Sequence, residues 1–429
     1  MIVLIMIVAV VMLFLGFEMF LVLGVPALLV KAVYYSNLPD VLLVQKMVAG
    51  IDHSILLAIP FFIFAAELMS DGRIAELLSR ATNACFRRLR GGAGYGSIAA
   101  CMAFGSVCGS APATVAALGR LMHPQLRAAG FRDSFSLGLI VSAAETALLI
   151  PPSITLIIYG WLTGTSISRL FAAGLVVGIV LGLAFGVAVL IEVWRHDFAP
   201  HEAKSAVSGE IVRGTAWALG MPIIILGGIY SGVVTATEAA AVSVLYALFV
   251  EAVVFRALTI RKVLMIAQRS ALLTSVIFIL LAAGSAISFF VTIAQVPDWI
   301  LAFMKSIDAG PNLFLLIVCV VLLVAGMFID PGTAILILIP ALFPVAVSMG
   351  IDPVHLGLVV CVTACTGMIT PPFGLDLFVA SSTLNKPVVE ITRGVWPFIV
   401  VNIVVLAIIT YVPSIAIFLP NLLFGGRSG

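Results

Sequence analysis

Long apolar runs organise this sequence, and clusters of Gly, Ser, Thr and Pro interrupt them where charged loops would be ordinary. Apolar stretches fill residues 1–30, 54–70, 94–118, 135–162, 170–192, 215–232, 236–255, 271–293, 312–348, 355–382 and 396–420. A bilayer crossing takes about 20 such residues as a helix, so these runs predict about ten membrane-embedded helical elements. Residues 37–52 read as a polar or interfacial connection, and 194–213 as a charged loop. The first run is longer than the apolar part of a signal peptide and lacks its basic start and small-residue cleavage site, so it is expected to remain as one span.

Four interruptions differ from the rest. GSVCGSAPATVAALG (105–119) and LLIPPSIT (148–155) lie in the first half, GMFIDPGTA (326–334) and TGMITPPFG (366–374) in the second. A helix in lipid keeps its backbone groups bonded within itself, and a break is tolerated only where protein or a water-filled cavity receives the freed groups. Paired breaks in corresponding halves of a transporter point to its binding site. The pattern predicts hairpin one at about 94–127 with its tip near Gly109–Pro112, and a helix at 135–162 broken at Pro151 and Pro152. It likewise predicts hairpin two at about 312–348 around Asp330–Thr333, and a helix at 355–382 broken at Pro371 and Pro372, since proline lacks a donor and clashes with the preceding turn.

A displacement of 220 residues superposes Pro124 on Pro344, Gly130 on Gly350, Pro151 on Pro371 and Pro152 on Pro372. LGLIV (137–141) matches LGLVV (356–360) at a displacement of 219. Charge gives the sense of the repeat. Residues 71–90 carry five arginines against Asp71 and Glu76, net +3, whereas 291–310 carry Lys305 against Asp298 and Asp308, net −1. Residues 256–269 carry +4 from Arg256, Arg261, Lys262 and Arg269, whereas 36–49 have only Lys46 and Asp40. Basic segments face the cytoplasm, so the copies are expected in opposite orientations. The first repeat covers 1–214, a linking helix 215–235 and the second repeat 236–429, each repeat with four crossings.

Composition narrows the class further. Hydrophobic residues make up 62% and charged ones 10%, which excludes a soluble fold. A net charge of +2 gives nucleic acid nothing to bind. The six cysteines lack CxxC spacing and read as small packing residues, and no HExxH, GxSxG, Walker A or clustered His/Cys pattern is present. Unwound carbonyls and half-helix C-termini suit sodium, and half-helix N-termini suit an anionic substrate. Ser110, Thr114, Ser153, Thr333 and Thr366 are the candidate hydroxyls for that substrate. Glu145, Asp330 and Asp376 lie beside the breaks, where an intramembrane acid is a functional candidate. His123 and His355 read as interfacial.

GSAPATVAALG, LIPPSITLIIYG, DPGTAILILIPALFP and GMITPPFGLDLFVAS, in that order over two halves, resemble the large membrane (M) subunit of tripartite ATP-independent periplasmic (TRAP) transporters, the DctM family. The resemblance covers essentially the whole chain. It implies an all-α polytopic elevator-type transporter of the bacterial inner membrane, importing a small organic anion (carboxylate, sugar acid or sulfonate) with sodium. It implies two partners besides the bilayer: a small four-helix membrane subunit, expected as a separate chain because no four-helix segment precedes Met1, and a periplasmic substrate-binding protein. It implies two sodium sites. One lies between the tip Ser106, Gly109 and Ser110 and the broken-helix residues Ala147, Ile150 and Pro152. The other uses Gly326, Gly367, Thr370 and Phe373, and most of these residues would donate backbone carbonyls. The alternatives are a stand-alone ion-coupled anion carrier of similar hairpin architecture, separated by independence from a binding protein, and a membrane-embedded enzyme using Glu145 or Asp330, separated by turnover in detergent.

Overall fold

The computed structural model describes residues 2–196 and 209–425, which are helical throughout apart from short turns, with no strand among them. The expected charged loop at 194–213 lies largely outside the described residues. The first half runs α1 (Ile2–Phe14), α2 (Met19–Tyr34), α3 (Asp40–Ile51), α4 (Ala58–Ser70), α5 (Ile74–Phe86), α6 (Gly92–Cys108), α7 (Ala111–Ala128), α8 (Asp133–Ala144), α9 (Ile154–Thr163) and α10 (Ile167–His196). The second runs α11 (Gly209–Tyr230), α12 (Ala236–Leu248, extended by a π turn), α13 (Ile260–Ile293), α14 (Val296–Ser306), α15 (Pro311–Gly326), α16 (Pro331–Ser348), α17 (Pro353–Ile369), α18 (Leu375–Leu384), α19 (Val388–Tyr411) and α20 (Pro413–Phe424). Among the described residues, five helices are by themselves long and apolar enough to cross a membrane, α10, α13 and α19 included.

Three expected boundaries are corrected. Residues 1–30 are two helices, because Gly16 takes φ +76° and the chain turns there before Glu18. The stretch 37–52, expected as a polar or interfacial connection, contains α3, which carries Asp40, Gln45 and Lys46 and joins α4 through a 57° bend. Most of the basic stretch 256–269 is helical, because Thr259 caps α13 by accepting from the Lys262 amide and the helix begins at Ile260.

Helix boundaries recur at the displacement of 220. Adding it to α6, α7 and α9 gives 312–328, 331–348 and 374–383, against observed α15 at 311–326, α16 at 331–348 and α18 at 375–384. Local chemistry explains the agreement. Gly109 ends α6 in the left-handed region at φ +61°, and the side chain of Ser110 opens α7 by accepting from the Ala113 amide. In the second copy Asp330 holds the same place before α16, accepting from the Thr333 amide at 3.0 Å, and Pro331 takes the first helical position.

Packing crosses between the halves. Helix α7 lies against α18, and α16 against α9. Helix α8 packs on α19, and α17 on α10. Farther out, α12 covers α4 while α2 covers α13. Each hairpin therefore leans on the far half of the other copy's broken helix. Helices α8 and α17 are buried on every side from Phe135 to Ala144 and from Val354 to Ile369, which makes them the centre of the molecule.

Candidate functional site

The two hairpin tips converge. Ser110 and Pro112 from the first tip, Asp330 and Thr333 from the second, Thr155 from α9 and Met368 from α17 line one cavity of about 160 Å³. Four interruptions of the chain, two in each half, thus meet in one place. Both the Pro151–Pro152 and the Pro371–Pro372 peptide bonds are cis.

Each tip presses its backbone against a broken helix, and glycine permits the contact. A Cβ built at Gly105 would lie 2.6 Å from the Cα of Ala147, and one at Gly109 would run into the carbonyl oxygen of Pro152. On the other side a Cβ at Gly367 would lie 2.6 Å from the Cα of Gly326. Ser106, Gly109 and Ser110 are therefore brought to the segment carrying Ala147, Ile150 and Pro152. Gly326 is brought to Gly367, three residues from Thr370. The Ile150 side chain points away from the tip toward Gly178 of α10, and Phe373 is half exposed with its ring 5.3 Å from that of Phe328. Those two residues have only their main chain to offer a site.

The hydroxyls divide into two groups. Ser110 and Thr333 line the cavity. Thr114, Ser153 and Thr366 do not; all three are buried behind it. The Thr114 hydroxyl donates to the Ser110 carbonyl at 2.8 Å, and that of Thr366 to the Val362 carbonyl at 2.8 Å. Thr370 does the same toward the Thr366 carbonyl at 2.6 Å, and Ser106 toward Ala103 at 2.7 Å. Ser153 joins the two sides of its break, accepting from the Leu156 amide at 3.3 Å while donating to the Leu148 carbonyl. A serine or threonine in an apolar helix satisfies itself on the preceding turn, which spacing in a sequence does not reveal.

Asp330 lines the cavity with its carboxylate committed to the cap of α16, where it also receives the Thr333 hydroxyl at 2.5 Å. His123 pairs with Asp133 at 2.8 Å near the exposed end of hairpin one. His355, expected at an interface, is buried and bonds the Ile409 carbonyl at 2.9 Å; the first turn of α17 is covered by α19, a contact absent from local sequence.

An all-helical, multi-pass membrane protein with paired hairpin tips closing on paired broken helices is a transporter of small solutes. The comparisons specify which kind. Residues 4–415 match the family model described as "Tripartite ATP-independent periplasmic transporter, DctM component". The chain belongs to that family, and so is a permease of the inner membrane and not an enzyme. It is 40% identical to an ectoine/5-hydroxyectoine TRAP transporter large permease protein of Ruegeria pomeroyi, over 97% of each chain. A C4-dicarboxylate TRAP transporter large permease protein of Pseudomonas aeruginosa is 37% identical over 88% of each chain. The crystal structure of the Alcanivorax borkumensis YdaH transporter shares the fold, at 12% identity, a TM-score of 0.61 and 86% coverage of both chains.

Proposed function

We propose that this permease imports a small carboxylate-bearing solute together with sodium, receiving the solute from a periplasmic binding protein and working beside a small membrane subunit. The observation that carries the reading is the convergence of both hairpin tips and both breaks on one cavity, with Ser110 and Thr333 among its lining residues. The carbonyls at 105–110 and 147–152 would hold one sodium ion, and those at Gly326, Gly367 and Thr370 another, since oxygen ligands from unwound backbone suit a hard cation. Substrate between the tips would meet the positive ends of α7 and α16, which attract a carboxylate. The hairpins and broken helices would then travel as one unit between the two membrane faces, in the manner of an elevator.

Two relatives, at 40% and 39% identity, are named for ectoine, which makes that solute the first to test and a C4-dicarboxylate the second. In proteoliposomes, the complex of this chain, the small subunit and the loaded binding protein is expected to accumulate solute when sodium is high outside. The chain alone is expected to accumulate none from free solute. Uptake that ignores sodium and follows a proton gradient would sink the coupling assignment, and robust uptake by the chain alone would make it a stand-alone carrier.

A further inference from the structure

Beside the clamps lies a polar island that the carbonyl sites do not use. Glu145 at the end of α8, Asp376 in the first turn of α18 and Asn402 in the middle of α19 are each 0% exposed. The Asn402 amide donates to Glu145 Oε2 at 2.8 Å. Glu145 Oε1, both oxygens of Asp376 and Asn402 Oδ1 have no hydrogen-bond partner among the described residues, and neither does Ser142 Oγ, one turn before Glu145. Residues within a turn of the three side chains, Ala144, Leu148, Leu377 and Ile399, belong to an apolar core.

The inventory is lopsided. Carboxylates and the amide oxygen accept, and one amide N–H₂ is the only donor found on them. An orphaned buried acceptor costs about 1–3 kcal/mol and a buried unpaired charge more, so four such oxygens in an apolar core are neutralised either by protons on the carboxyls or by a bound cation. The N-terminal dipole of α18 offsets part of the Asp376 charge, but it supplies no ligand to Glu145. Divalent ions are poor candidates. Calcium takes 6–8 oxygens and magnesium keeps several waters, and among the described residues no three His, Cys, Asp or Glu side chains cluster as such a site.

We infer that Glu145, Asp376 and Asn402 hold a further sodium ion, in a site built from side-chain oxygens and separate from the carbonyl clamps. It differs from the first clamp in direction: Ala147 meets Gly105 of hairpin one, whereas Glu145 reaches Asn402 of α19. An ion there ties α8, α18 and α19 together, so the two broken helices move as one body. This inference rests on the sodium coupling proposed above.

Equilibrium binding of radioactive sodium to the purified full-length chain in potassium buffer tests it. Three ions per wild-type chain are expected, and two in Glu145→Gln and in Asp376→Asn, which preserve shape. Two ions on the wild type would overturn this site and leave the clamps standing, whereas none would remove the coupling reading as well. An unchanged count in the variants would also overturn it, and an altered pH dependence of uptake in the same variants would assign the cluster to protons. Should either variant fail to fold, the wild-type count decides.

Discussion

Gly367 has no room for a side chain, because the Gly326 main chain occupies the space where a Cβ would go. Valine there is expected to abolish sodium-dependent uptake, since overpacking a tight contact costs about 1–3 kcal/mol and pushes the hairpin tip off the break. Thr370→Ser keeps the hydroxyl that donates to the Thr366 carbonyl and is expected to retain most of the uptake. Equal loss in both, measured as uptake against sodium concentration, would show that carbonyl geometry at this clamp does not govern coupling. Gly109 stands under two constraints, φ +61° and the Pro152 carbonyl. Gly109→Ala is therefore expected to raise the sodium concentration for half-maximal uptake, the left-handed backbone alone costing about 1–2 kcal/mol. A wild-type sodium response in that variant would count against the first clamp.

Two helices at the cavity, α7 and α16, begin at caps, Ser110 and Asp330, that also line it. Ser153 opens α9 and bonds across the break to Leu148, so its hydroxyl holds two chain segments in register. Ser153→Ala removes both bonds and leaves a buried carbonyl unmet, a loss of about 1–2 kcal/mol by the measured worth of caps. A lower melting temperature of the purified chain is expected, while Ser275→Ala, whose exposed hydroxyl bonds only its own helix, should leave it unchanged. If the two variants melt alike, the break is held by packing and not by Ser153. At the open end of hairpin one, Lys386 from the turn between α18 and α19 meets Asp133 at 2.6 Å. That ion pair joins α8 to the second half where the crossed packing of α7 and α18 ends.

At the scale of the molecule, charge and packing make separate statements. Charge inversion predicts 71–90 on the cytoplasmic side and 296–311 on the periplasmic side. Arg88 and Lys305 are exposed in those segments. In a chain freed of its native cysteines, of which Cys85 is exposed, Arg88→Cys and Lys305→Cys should react with an impermeant thiol reagent from opposite sides of sealed vesicles. Reaction from the same side would refute the inverted arrangement. The crossed packing of α7 on α18 and α16 on α9 adds that neither hairpin belongs to its own half alone, so the halves are not expected to fold as separate units.

The sequence by itself determined the broken elements. Gly109 with Ser110, Asp330 with Pro331, and the Pro–Pro pairs at 151 and 371 stop and start helices through local backbone chemistry, and the observed boundaries fall within a few residues of those expected. Family membership was legible in the same motifs. Where polar residues were sparse a helix went unmarked, as at α3, since a few charges on a short segment do not distinguish a helix from a connection. Only the tertiary structure decided which face meets which. Helices α8 and α17 are apolar and buried all round, so no stripe marks a partner, and nothing local pairs Glu145 with Asn402, 257 residues away. Nor does spacing tell that Ser110 and Thr333 line the cavity while Thr114 and Thr366 lie away from it, bonded to their own helices. A helix end is written in three or four adjacent residues. A contact between two uniformly apolar helices is set by the shape of both, and exists only once they are packed.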